Sequence, residues 1–144
     1  MSSTAAIEVQ GQGVMQKVRG QEYGHTLPAA LPLLDEHAKR LGVTPPSVFT
    51  FTDPEEFGDF VEELPDEMRT QLRTQREWSD ASEGIESFSR LSNELRRIAS
   101  TELEELCRAH QVDAVHLLLE LECFLHVIAQ AYVSRKQFRI SVSA

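Results

Sequence analysis

A chain of 144 residues is long enough to bury a hydrophobic core, and its 41% hydrophobic and 26% charged residues match ordinary globular composition, which excludes wholesale disorder. A net charge of −9 argues against a general nucleic-acid binder, because affinity for phosphate requires clustered Lys and Arg. The same charge is compatible with a basic protein partner.

The longest apolar stretch, residues 114–133, is interrupted by five polar or charged side chains: His116, Glu120, Glu122, His126 and Gln130. A membrane span requires about 20 mostly apolar residues, so we predict a helix packed within protein. The N-terminus lacks the basic start and apolar run of a secretory signal. Two cysteines, Cys107 and Cys123, form no dense disulfide framework and suit a reducing compartment. We therefore expect a cytoplasmic protein with no membrane partner.

The N-terminal segment, residues 1–25, is polar and rich in glycine, so we expect it to be partly ordered, with a short strand where Ile7 and Val9 alternate with polar neighbours. Residues 26–144 are predicted to form a single helical domain. Because proline cannot lie deep inside a helix, the first helix is predicted to begin near Leu31 or Pro32 and to end at Gly42.

A second helix is predicted from Asp53, which precedes Pro54 and can cap a first turn. Four apolar residues then follow at the spacing of one helical face: Phe57, Phe60, Val61 and Leu64. Pro65 ends this helix, and Asp66 can cap another short one.

The C-terminal half predicts an amphipathic helix over residues 80–98, a short helix from Thr101, and a long helix from Asp113 to Lys136. The long helix has a broad apolar arc and should be the hub that the other helices enclose. Residues 138–142 alternate as in a strand, and the N-terminal segment is its nearest partner. The predicted fold is mostly α, a compact bundle of about five helices around the long C-terminal helix, with a small two-stranded β element from the termini.

Trp78 is followed, after four residues, by Glu83-Gly84-Ile85 at the opening of the amphipathic helix. Together with a long helix that precedes a short alternating strand, this pattern resembles small bacterial single-domain proteins of unassigned function. The resemblance covers about half of the chain and implies a bacterial origin, but it supplies no catalytic residue. We expect Trp78 to be a core anchor, since indole rings bury a large area, with a ligand platform as the alternative.

An acidic run from Asp53 to Glu67 contains eight carboxylates and no Lys or Arg. One-signed charge of this kind attracts a basic partner, and we predict that Glu55, Asp59, Glu62 and Glu63 contact it. The structural alternative is a solvated helix face, in which acids are favoured in the first turn by the helix dipole.

The long helix also presents four residues of metal-ligand type: His116, Glu120, Cys123 and His126. The first three lie within about 60° of one another around a helix, and His126 lies about 60° further round. The spacing differs from the His-Glu-x-x-His motif and from the pairs of di-iron bundles. The alternative interpretation is a polar stripe in which Glu122 and His126 pair.

The sequence contains no Gly-x-Ser-x-Gly elbow, phosphate-binding glycine loop or Cys-x-x-Cys pair. We therefore predict a non-enzymatic protein-interaction module without a cofactor, of inhibitor or immunity type, that binds a basic partner through an acidic helix face. The alternative is a metal-dependent enzyme or ligand-binding protein with its site on the long helix. A homodimer that shares an edge strand or the apolar helix is a third possibility.

Overall fold

A computed structural model of the chain describes residues 3–143, so the predicted boundaries at residues 1 and 144 lie outside the described range. The fold is mostly α with a small sheet, as predicted. The helices are α1 (Leu27–Leu41), α2 (Asp66–Thr74), α3 (Ala81–Arg97), α4 (Ser100–Arg108) and α5 (Ala114–Val133), with 3-10 helices at Pro46–Phe49 and Pro54–Glu63. The strands are β1 (Thr4–Val9), β2 (Gly13–Met15), β3 (Lys17–Val18), β4 (Gln21–Glu22), β5 (Thr50–Phe51) and β6 (Phe138–Ser143).

The main sheet has the order β2-β1-β6-β5, and its two central strands come from the two ends of the chain. β1 is antiparallel to β6, with Ile7 opposite Ile140, so the predicted pairing of the termini is confirmed. β2 extends the sheet on one side, and β5 runs parallel to β6 on the other. Alternate residues of both central strands face the helices, as Ile7 and Ile140 do with no exposed surface.

The core lies between the inner face of this sheet and the helices, of which α3 and α5 form the closest pair. Phe88 of α3 stacks on Phe124 of α5 with ring centroids 5.8 Å apart. Gly84 permits a close approach at the start of α3, because an added Cβ would lie 2.6 Å from the Phe138 ring. The glycine of the Trp-x4-Glu-Gly pattern thus has a packing role.

The long helix α5 is enclosed on one side only. Leu117, Leu121, Phe124 and Ile128 are fully buried, whereas Val115 and Val133 on the opposite side are 63% and 81% exposed. The prediction of a hub enclosed by the remaining helices was therefore wrong for the outer half of the helix, because too few elements pack around it. By length and composition alone α5 could cross a membrane, and 39% of its apolar window is buried inside the fold.

Helix α1 begins at Leu27, four residues before the predicted start. Thr26 provides no side-chain cap, and Glu120 of α5 accepts hydrogen bonds from the N–H groups of Thr26 (2.9 Å) and Leu27 (3.0 Å) instead. This external cap fixes the start and leaves Pro32 inside the helix, where the sequence argument had excluded it. Gly42 ends the helix with a φ of 73°, as predicted.

Candidate functional site

The acidic run belongs to a surface excursion that leaves the sheet after β5 and returns before Trp78. Asp53 accepts a hydrogen bond from the Glu55 N–H (2.9 Å), which confirms the predicted cap. The following segment is a 3-10 helix and not the predicted α-helix, because Gly58 has a φ of 52° and a ψ of −129° inside it. Pro65 then separates it from α2. We call residues 54–74 the acidic excursion.

No residue of the acidic excursion is buried. Its four predicted core positions do not form a buried face: Phe60 is 66% exposed, and Phe57, Val61 and Leu64 are half-buried. The kink at Gly58 explains the difference, since it rotates the second half of the segment away from the face that a continuous helix would present. The predicted acidic helix face is thus an irregular exposed surface with an aromatic ring in it.

The predicted partner-binding residues Glu55, Asp59, Glu62 and Glu63 are all exposed. Within residues 3–143, Asp66–Arg69 is the one ion pair that involves any of the eight carboxylates of the run. Arg76, which follows the excursion, donates to Glu83 at 2.7 and 3.1 Å instead. The negative charge of the excursion is therefore largely unbalanced by the fold.

The two ends of the excursion are tied together by the side chain of Gln75, which no sequence pattern singled out. The side-chain amide of Gln75 accepts a hydrogen bond from the Thr52 N–H (3.0 Å) and donates one to the Thr52 carbonyl (2.7 Å). It therefore pairs with the Thr52 backbone as a residue of a neighbouring strand would. A groove of about 500 Å³ opens beside this tie, and Val48, Phe57 and Met68 line it together with polar residues that include Gln71 and Arg76. The excursion thus offers negative charge, an exposed ring and an adjacent groove of mixed polarity.

The four candidate metal ligands on α5 are distributed over different surroundings. Glu120 is buried and uses both carboxylate oxygens on the start of α1. His116 is exposed, Cys123 is half-buried, and His126 lies beside Gln130 with 3.2 Å between their side-chain nitrogens. Among the residues that the structure describes, no group of three His, Cys, Asp or Glu side chains is placed to hold a metal ion. The geometry gives the metal hypothesis no support.

Two thiols and a phenol near α5 have pKa values that are raised by burial. Burial raises the pKa of the Cys107 thiol and the pKa of the Cys123 thiol, so both favour the protonated, unreactive form. Burial also raises the pKa of Tyr23, whose hydroxyl accepts from the Ile7 N–H at 3.0 Å and donates to the Met15 carbonyl. Both cysteines are free.

Trp78 is half-buried on the outer side of the sheet, so it is not the core anchor that we predicted. The Arg139 guanidinium lies 4.2 Å from the Trp78 ring centroid and 4.0 Å from that of Phe51, and it is held by Glu8 through two contacts of 3.1 Å. This cation–π sandwich joins β1, β5 and β6 to the chain that leaves the excursion. The face of the Trp78 ring within this sandwich is occupied by the protein's own Arg139.

Comparisons with models of protein families, with curated proteins and with solved structures found no match. The resemblance to small bacterial domains stays a prediction.

Proposed function

We propose that the chain is a non-enzymatic protein-interaction module that binds a basic partner protein through the acidic excursion. One observation carries the proposal: residues 54–74 form helical turns on the surface and include no fully buried residue. Ordering a residue costs about 1–2 kcal/mol of conformational entropy, which burial normally offsets. A segment that contributes so little to the core is better explained by a contact outside the chain.

The charges of the excursion favour a partner rich in Lys and Arg. Exposed carboxylates without internal partners steer a basic surface during encounter and select against acidic ones. Phe60 adds an apolar anchor to the charged contact, because an exposed aromatic ring can insert into a pocket of the partner. The groove of mixed polarity beside Phe57 and Met68 can receive a side chain in return.

Binding of this kind acts by covering the partner's basic surface, which is the mode of action of an inhibitor or immunity-type protein. No step of bond making is required of this chain, and no cofactor enters the proposal. We place the protein in the cytoplasm of a bacterium, and two free thiols with raised pKa values are compatible with a reducing compartment.

The test uses a library of random peptides displayed on phage and selected on the purified protein at an ionic strength of about 0.15 M. The selected peptides are then measured against two variants that shift the net charge equally, from −9 to −1. The reversal variant carries Lys at four positions of the excursion: Glu55, Asp59, Glu62 and Glu63. The matched control carries Lys at four exposed glutamates on α3 and α4 that form no ion pair within residues 3–143: Glu86, Glu102, Glu104 and Glu105.

We expect the selected peptides to be enriched in Lys, Arg and an apolar residue. They should bind the parent and the control with similar affinity and the reversal variant at least tenfold more weakly, with an affinity that falls as salt rises. Peptides with no excess of basic residues, or equal binding to the two variants, would reject the proposed function.

A further inference from the structure

The side of α5 that faces away from the core carries a narrow stripe that the proposed function does not use. Its six members lie within an arc of about 80° at about 100° per residue. They are Val115, Leu119, Glu122, His126, Ala129 and Val133. We call them the outer stripe. Val115, Leu119 and Val133 are 63%, 55% and 81% exposed, so its two ends present large apolar side chains to the surroundings.

The centre of the outer stripe carries a carboxylate and an imidazole at neighbouring positions. Glu122 is exposed and forms an ion pair with Arg96 of α3. His126, one turn further along, is half-buried and contacts Gln130. The stripe thus consists of apolar ends that flank one carboxylate and one imidazole.

The order of residues in the outer stripe has a symmetry that determines which partner it fits. Successive members are separated by four, three, four, three and four residues, a spacing that is the same from either end. A second α5 that packs antiparallel across a two-fold axis near Phe124 therefore places Val115 opposite Val133 of the second copy. The same axis places Leu119 opposite Ala129 and Glu122 opposite His126, so apolar groups meet apolar groups and a carboxylate meets an imidazole.

We propose that the outer stripe is a homodimer interface in which two α5 helices pack antiparallel. The small side chain of Ala129 lets the helices approach closely opposite Leu119, as helix packing at 8–10 Å requires. Glu122 and His126 form a hydrogen-bonded pair twice across the axis, with each Glu122 still beside its own Arg96.

The size of this contact sets the strength of the dimer. A stripe that spans about 27 Å of helix axis and about 10 Å of width covers about 270 Å² per copy, or about 540 Å² in total. That area is below the range of stable specific interfaces, so the dimer should be weak, form only at high chain concentration and dissociate on dilution.

Sedimentation equilibrium over a wide concentration range tests the interface with Leu119→Glu, a change at an exposed position that leaves the core intact. Phe60→Glu is the matched control, because it places the same charge at a side chain of similar exposure on the acidic excursion. We expect the parent and Phe60→Glu to dimerise alike and Leu119→Glu to dimerise at least tenfold more weakly, with unchanged helical circular dichroism.

The antiparallel register is tested by mixing Leu119→Glu with Ala129→Lys. Each variant alone opposes its charge to an apolar residue, whereas the mixed dimer places Glu opposite Lys once and keeps Leu opposite Ala once. We expect the mixed dimer to be at least tenfold tighter than either homodimer. A parallel pair would show no such rescue, and that outcome would overturn the proposal.

Three further results would overturn it. The first is a parent chain that stays monomeric at the highest concentration measured, and the second is a Leu119→Glu variant that dimerises as well as the parent. The third is a monomeric parent that co-sediments with vesicles of anionic and zwitterionic lipid while Leu119→Glu does not, which would assign the stripe to a membrane surface. Because Phe60→Glu alters the excursion and not the stripe, failure of the dimer leaves the proposed function to be judged separately.

Discussion

Replacing Glu120 by Ala removes the external cap of α1 and tests how the two halves of the chain are joined. The carboxylate accepts from two backbone N–H groups at 2.9 and 3.0 Å, 94 and 93 residues away in sequence. Hydrogen bonds to a charged group are each worth about 1.5–3 kcal/mol, and a carboxylate at a helix start adds about 0.3–1 kcal/mol. Releasing a buried carboxylate from its desolvation offsets part of this sum, so we expect a net loss of about 2–4 kcal/mol.

The assay is urea unfolding followed by circular dichroism on dilute, monomeric protein, with Glu120→Gln and Glu122→Ala as companions. Glu120→Gln keeps one acceptor oxygen and should lose about 1–2 kcal/mol. Glu122→Ala removes a neighbouring carboxylate that is exposed and forms a surface ion pair with Arg96, so it should lose less than about 1 kcal/mol. A Glu120→Ala variant that is no less stable than Glu122→Ala would refute the assignment of Glu120 as the cap of α1.

Three other predictions concern single positions. Gly84→Ala should lower the free energy of unfolding by about 1–2 kcal/mol, because the added methyl group meets the Phe138 ring. Calorimetry that shows a rise in stability, as Ala normally brings to a helix interior, would contradict this packing. Burial lowers the pKa of His37 below its ordinary value of 6.5, so the unfolded chain takes up a proton that the folded chain resists, and stability should fall as pH drops below about 6.5. Urea midpoints at several pH values should show a weaker dependence for His37→Gln, and an unchanged dependence would exclude His37 as its source. Arg139→Ala should cost about 2–4 kcal/mol by releasing Glu8 and the ring of Trp78, with a change in tryptophan fluorescence of the folded state; unchanged emission would contradict the stacking.

Local sequence patterns correctly predicted the elements whose structure depends mainly on residues close to them in the chain. The spacing of Phe88, Leu91 and Leu95 predicted α3, and all three side chains are fully buried. The alternation from Phe138 predicted β6, and the need of a lone strand for a partner predicted its pairing with the N-terminal segment. Asp53 and Gly42 marked a start and an end because caps depend on residues within one turn.

What the sequence did not predict depends on contacts between distant residues or on a single dihedral angle. Glu120 was grouped with His116 because both lie on one helix, whereas its partners lie more than 90 residues earlier. The positive φ of Gly58 turns a regular apolar spacing into an exposed 3-10 segment. Periodicity also could not show that α5 has neighbours on one side only, because an apolar residue such as Val133 is equally compatible with burial and with an interface.

The sequence therefore predicted which acidic residues form the candidate site but not the conformation of the segment that carries them. The run of carboxylates is evident from the amino-acid sequence. In the structure these side chains are exposed, as a surface contact requires: Glu55, Asp59, Glu62 and Glu63. The exposed ring of Phe60 and the tie between Thr52 and Gln75 were not predicted, because both follow from the kink and the return of the chain.

The central claim is that the acidic excursion serves a contact outside the chain and contributes little to the fold. Its most direct test is the free energy of unfolding of a variant in which residues 54–74 are replaced by a short Gly-Ser linker between Thr52-Asp53 and Gln75. No residue of the excursion is buried, so its removal should take little support from the core, and we predict a change of less than about 2 kcal/mol with the rest of the fold retained. A variant that loses more than about 4 kcal/mol, or that fails to fold, would show that the excursion is part of the core's support and would contradict the account.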